Sequence, residues 1–200
     1  SSVQVTITGS NDIAIITGTA TGSVVEAGGL ANASLGTPSV AGVLSVTDAD
    51  TGQSSFATPA SLAGTYGTFT FNKASGVWSY TLDNSKAATQ ALTTGQEVHD
   101  TLSVTSLDGT ASQTIDVTVT GANDAPTIGT PQITVSVSEE GLSGGIIDTT
   151  GNPDSTDATG SLGNLVFNDI DSTKLSVSLT APTETLTSGG QSIIWTSSTD

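Results

Sequence analysis

Apolar and polar residues alternate along the chain in short runs, with Gly, Pro, Asn or Asp between one run and the next. A period of two marks strands that turn one face to a core and the other to water. Between residues 13 and 121 the pattern predicts seven strands. The first comes in two pieces, Ile13 to Thr17 and Ser23 to Glu26. The others run from Gly42 to Thr47, near Gln53 to Thr58, Tyr66 to Phe71, Val77 to Asp83, Val98 to Ser106 and Ala111 to Thr120. Phe69 and Phe71 share one face of their strand, as do Trp78, Tyr80 and Leu82 of the next. These five should anchor the core, each contributing about 1.5–3 kcal/mol when well buried. The only helical candidate, "SKAATQALTTG", is one or two turns long, with Asn84 or Ser85 as N-cap and Gly95 just past its end. The expectation is an all-β sandwich.

The run "VQVTITGSND" at residues 3 to 12 returns as "IDVTVTGAND" at residues 115 to 124, 112 positions later. Each copy is a half-buried strand that runs into a linker, so the chain holds tandem units. Residues 1–12 read as the last strand of a preceding repeat and its linker. Residues 13–121 form the complete domain, and 122–200 hold a linker and an incomplete second sandwich. In that second unit Glu139 matches Glu26, and Asp169/Asp171 match Asp48/Asp50, at offsets of 113 and 121. The growing offset places an insertion of about eight residues, a long loop, in "GGIIDTTGNPDSTDATG".

Composition narrows the chemistry. Nineteen acids against three lysines give a formal net charge of −16. Nucleic-acid binding needs the opposite sign. Anionic membranes are disfavoured for the same reason, and no apolar run approaches the ~18 residues of a spanning helix, so no membrane insertion is expected. Cysteine is absent, which removes disulfides and thiolate metal sites. The N-terminus carries no visible secretory leader. Fourteen of the nineteen acids are Asp, a residue of turns and caps.

Strands that alternate in direction gather these acids at two ends. The entry end should hold Asn11, Asp12, Asp48, Asp50 and Asp108. The exit end should hold Glu26, Asp100 or Glu97, Asn123 and Asp124, with Asp169 and Asp171 of the next unit facing them. Carboxylates so gathered repel one another unless a cation intervenes. Ca²⁺ fits best, because it takes six to eight oxygens from carboxylates, amides and carbonyls. One histidine and no cysteine leave softer metals little to bind. Taken alone, an Asp-x-Asp beside Gly is an ordinary solvated turn, and Asn-Asp before Pro is equally common. Here linker Asn-Asp, strand-end Glu and Asp-x-Asp recur twice in the same order. "DADTG" lacks the later acids of an EF-hand loop.

The runs "GVLSVTDADTG", "YGTFTFNKASGVWSYTLDN", "ALTTGQEVHDTLSVTSLDGT" and "IDVTVTGANDAP" resemble the VCBS repeat, a cadherin-like module of giant bacterial surface and RTX-type adhesins. The resemblance covers about residues 13 to 126. "NDIDSTKLSVSLT" and "LTSGGQSIIWTSS" are similar to the start of a T1SS-143-type repeat. The resemblance implies tandem Ig-like, cadherin-like Greek-key sandwiches. It implies calcium held between successive domains by Asn11, Asp12, Asn123, Asp124, Glu26, Asp48, Asp50, Asp169, Asp171 and Asp108. It also implies type I export to the bacterial surface. No "GGxGxD" nonapeptide of an RTX β-roll is present.

The expected function is therefore a calcium-stiffened stalk repeat of a secreted adhesin, serving attachment and biofilm formation. Its partners are neighbouring repeats, and other domains reach the host or substratum surface. The rival reading is a carbohydrate-binding sandwich using exposed aromatics, for which only Tyr66 and Trp195 are candidates. An enzyme is not expected. "GLSGG" around Ser143 fits G-x-S-x-G only formally, and a triad would have to borrow His99 from the other domain.

Overall fold

The period-two segments form strands β1 (Ile15–Gly18), β2 (Thr21–Val25), β3 (Ser39–Thr47), β4 (Gly67–Phe71), β5 (Val77–Leu82), β6 (Glu97–Thr105) and β7 (Ser112–Thr120). They belong to a computed structural model. It describes residues 2–129, 166–176 and 178, and the residue pairs 187–188 and 191–192. The chain divides into two units, Ser1–Ala125 with Ile170–Ser172, and Pro126–Asp169 with Thr173–Asp200.

In the first unit one sheet has the order β1-β3-β5-β4 and the other β2-β7-β6. Each sheet turns its apolar face inward, so Leu44, Phe69, Trp78, Tyr80 and Leu82 meet Val24, Leu102, Val104, Ile115, Val117 and Val119 in one core. This is a β-sandwich. Phe69 and Tyr80 pack at 4.8 Å between ring centroids. Phe71 is only partly buried and meets Phe56 edge-on at 5.1 Å.

The first strand is indeed split. β1 pairs antiparallel with β3, then β2 pairs parallel with β7, so the chain crosses between sheets at Gly18 to Ala20. Gly18 sits at φ 117, where a Cβ would stand 2.3 Å from the Val43 carbonyl. Trp78 seals the crossing by donating its indole N–H to Thr19 O at 2.8 Å.

The strand expected near Gln53 to Thr58 shrinks to one bridge, Phe56 to Ser106, flanked by hydrogen bonds of Ala57 and Leu107. Pro59 follows, which cannot donate to a ladder. The chain then pairs with β4 instead, through Phe69 N–H to Leu62 O and the Ala63–Thr68 bridge. The helix is a single turn, α1 (Ala87–Gln90), with Lys86 rather than Asn84 or Ser85 at its N-cap. Ser85 is instead engaged by Asp83 Oδ1, while Asn84 reaches back to Ala27. Gly95 keeps a positive φ of 73 but lies beyond the C-cap, Ala91, in the turn before β6. A 3₁₀ turn at Leu30–Asn32 had no signature in the pattern.

Residues 2–12 form no strand, and Val3, Val5 and Ile7 are exposed. In the second unit the described strands are β8 (Thr127–Ile128) paired with β9 (Phe167–Asn168), and β10 (Thr187–Ser188) paired with β11 (Gln191–Ser192), both antiparallel. Glu139, Ser143, the 144–160 insertion and Trp195 lie outside the described residues.

Gly42 faces Trp78 across the β3–β5 ladder, and a Cβ there would stand 2.7 Å from the indole ring. Gly42→Val should displace Trp78 from its bond to Thr19 and lower the unfolding free energy by about 1–3 kcal/mol. Urea denaturation measures the loss, and an unchanged midpoint would contradict the packing described.

Candidate functional site

At the entry end β3 stops at Thr47 and turns through Asp48, Ala49 and Asp50. Asp50 N–H donates to Asp48 Oδ1 at 2.8 Å, an Asx turn. Asp12 N–H donates to Asp50 Oδ2 at 2.7 Å. Asn11 Nδ2 donates to Asp108 Oδ2 at 2.9 Å and to the Asp12 carbonyl at 3.0 Å. Asp108 Oδ1 accepts from Ser106 Oγ and from Thr110 N–H. The Ser106 hydroxyl above all, then Thr110 and Asn11, holds the Asp108 carboxyl well below the usual range. All five residues expected at this end are thus tied together. Two further oxygens, Asp48 Oδ2 and Gln53 Oε1, are buried with no hydrogen-bond partner. Gln53 was not expected, because a lone Gln in a turn carries no pattern of its own.

At the exit end Glu26 follows β2 into the interior and is 1% exposed. Its Oε2 accepts from Ala122 N–H at 3.1 Å and its Oε1 from Gln90 Nε2 at 3.3 Å. Asp124 is buried, and its N–H donates to Asp171 Oδ2 at 3.0 Å. Asn123 Nδ2 donates to the Asp124 carbonyl, and the Asn123 carbonyl accepts from Gly29 N–H at 2.7 Å. Burial, reinforced by the Asp124 and Asp171 carboxylates, pushes the Glu26 carboxyl up to about 7 against the pull of the Ala122 and Gln90 donors.

The two ends repeat one local design. In each, the linker Asn amide donates to the next carbonyl, and the linker Asp N–H is capped by the second Asp of an Asp-x-Asp.

Asp100 does not join the exit group. It is buried under β4 and accepts from Thr65, Tyr66 and Gly67 N–H and from Tyr80 O–H, the last at 2.7 Å. Gly64 leaves it room, since a Cβ there would lie 2.2 Å from Asp100 Oδ2. An alternating strand turns Asp100 inward, so its position near the strand start says nothing of the pole. Glu97, the alternative, is exposed at the start of β6. Asp169 belongs to the second unit. His99 Nδ1 lies 2.7 Å from Asp116 Oδ1 on the sheet surface. Tyr66 is partly buried and packs against the core. Among the described residues no three His, Cys, Asp or Glu side chains converge into a metal site by themselves. The oxygens at each end are instead a mixture of carboxylates, Asn or Gln amides and backbone carbonyls.

Residues 11–121 match the family model described as bacterial cadherin-like domain. No curated protein matches the chain. Among the described residues no helix is long and apolar enough to cross a membrane.

Two outcomes follow from the buried carboxylates. Asp100→Asn would set an amide N–H₂ among four donors and should cost about 2–4 kcal/mol, equally with and without calcium. Thermal unfolding in both conditions checks this. Glu26 has its folded pKa raised from 4.5 to about 7, so its contribution is present below pH 4.5 and lost as pH rises through 7. In chelator, the wild type should lose on the order of 2–3 kcal/mol over that window relative to Glu26→Gln. Parallel pH profiles for the two proteins would refute the assignment.

Proposed function

The chain belongs to the bacterial cadherin-like domain family over residues 11–121, and from this we propose that its complete sandwich is a calcium-rigidified extender repeat of a secreted bacterial adhesin. The cadherin-like sandwich is a non-catalytic fold type, and such domains are typically extracellular. The observation that carries the proposal is the design repeated at the two ends, each built from linker Asn-Asp and an Asp of Asp-x-Asp.

The donor set suits the ion. Asp48 Oδ2 and Gln53 Oε1 are withdrawn from water with no N–H to meet them, which is costly for oxygens that no cation satisfies. At the entry end Asn11, Asp12, Asp48, Asp50, Asp108 and Gln53 would hold calcium. At the exit end Glu26, Asn123, Asp124 and Asp171 would do so, Asp169 being the sequence counterpart of Asp48. Bound there, calcium supplies positive charge and a shell of six to eight oxygen contacts.

The consequence is mechanical. A linker whose own side chains bind the ion along with strand-end carboxylates gives up its freedom to swing, and a series of such repeats becomes a stiff spacer. Extracellular calcium modules bind at about 10⁻⁴–10⁻³ M, so the sites would stay empty in the cytosol and fill outside. The charge of −16 favours an extended chain while they are empty. Type I export and a part in surface attachment and biofilm formation belong to this proposal, which rests on the resemblance of the sequence to VCBS repeats. Neighbouring repeats are its partners, and contact with host or substratum falls to other domains.

Calcium at about a hundred times its Kd should stabilise the domain by about 2.7 kcal/mol per site. Scanning calorimetry in calcium and in EDTA should therefore show a rise in Tm of several degrees, reduced in Asp48→Asn/Asp50→Asn. A Tm indifferent to chelation would overturn the proposal.

A further inference from the structure

The exit end contains a set of side chains that the calcium reading does not use. Gln90, the last residue of α1, donates from Nε2 to Glu26 Oε1 at 3.3 Å and to Asn32 Oδ1 at 3.2 Å. Asn32 Oδ1 also accepts from Asn84 Nδ2 at 3.0 Å, and Asn84 Nδ2 donates in addition to the Ala27 carbonyl at 2.9 Å. Three neutral amides from two separate loops therefore converge behind one buried carboxylate. Asn32 reaches this position at φ 58, beside Ala31 at φ 52, a left-handed pair without glycine. The chain accepts that conformation where it completes the amide network.

We infer that Gln90 is a positioning residue for calcium: it aims and stabilises the Glu26 carboxylate while the site is empty, without competing for the ion. This rests on the calcium reading above.

The chemistry of the contact argues for the role. Ala122 N–H fixes Glu26 Oε2 from the linker side. Without a second donor the buried group could turn about its last torsion, a change that must be undone before a cation binds. A lysine or arginine at position 90 would fix Oε1 equally well, but it would form an ion pair that calcium has to displace. An amide has no charge to withdraw, and a carboxylate oxygen that accepts one N–H keeps a lone pair for metal. Donors behind a ligand typically contribute ten- to a hundredfold in metal affinity. The one-turn helix α1 is thereby explained: with a single turn it has little stability of its own, and it brings Gln90 to Glu26.

The test uses the full chain and Ca²⁺ alone, followed by backbone amide NMR. Ala122 N–H reports the exit end because it bonds Glu26, and Asp12 N–H reports the entry end because it bonds Asp50. In Gln90→Ala the calcium midpoint at Ala122 should rise about tenfold, while that at Asp12 is unchanged. Gln90→Glu, which replaces the donor by a charged acceptor, should lower the Tm in EDTA yet recover most of it in saturating calcium. Equal midpoints for wild type and Gln90→Ala at Ala122, or a tighter one in the variant, overturn the inference and leave the calcium reading intact. A shift of both reporters together would mark a general loss of structure and overturn it as well. No calcium response at either amide in the wild type overturns both.

Discussion

Carboxylates buried where strands end, with hardly a cationic side chain to meet them, are the constraint on which the rest of the unit depends. The whole chain has three lysines, and Lys86 is spent on the carbonyls of Gly64, Thr65 and Gly67. The acids at both ends therefore bond to backbone N–H groups, hydroxyls and amides. That requirement accounts for much of the irregular structure. It explains the Asx turn at Asp48 to Asp50, the loop that carries Asn32, and the close approach of the linker to Gly29. The sheets supply strand ends at fixed heights, and the loops supply donors.

Glu26 and Asp100 show how donor count decides the fate of a buried acid. Asp100 meets three N–H groups and a phenol, enough to replace the water it lost, and its role is to fasten the turn before β4 to the neighbouring sheet. Glu26 meets two donors and has Asp124 and Asp171 nearby. It stays under-compensated, which is why its carboxyl is pushed up while Asp100 keeps its full set of donors.

The fold was legible because alternation and glycine placement are local signals: Phe69, Trp78, Tyr80 and Leu82 point inward as their period requires. Grouping Asn11, Asp12, Asp48, Asp50 and Asp108 needed only strand direction. What local signals could not show was competition between partners. The stretch after Gln53 has strand-like alternation, yet Pro59 and the free edge of β4 draw it away from β6 after a single bridge. Asp100 was misplaced because sequence position gives height along a strand, whereas the inward turn of its side chain decided its partners. Gln53, Asn32, Asn84 and Gln90 are single amides with no spacing rule, visible only once distant loops are brought together.

The detour of residues 62 to 64 along β4 also covers the margin of that sheet. A bare sheet margin is a template for pairing with another chain, which leads to swapped or fibrous assemblies. Laying its own backbone along that margin gives up a longer third strand in the opposite sheet. In return, the margin of β4 is paired from within the domain.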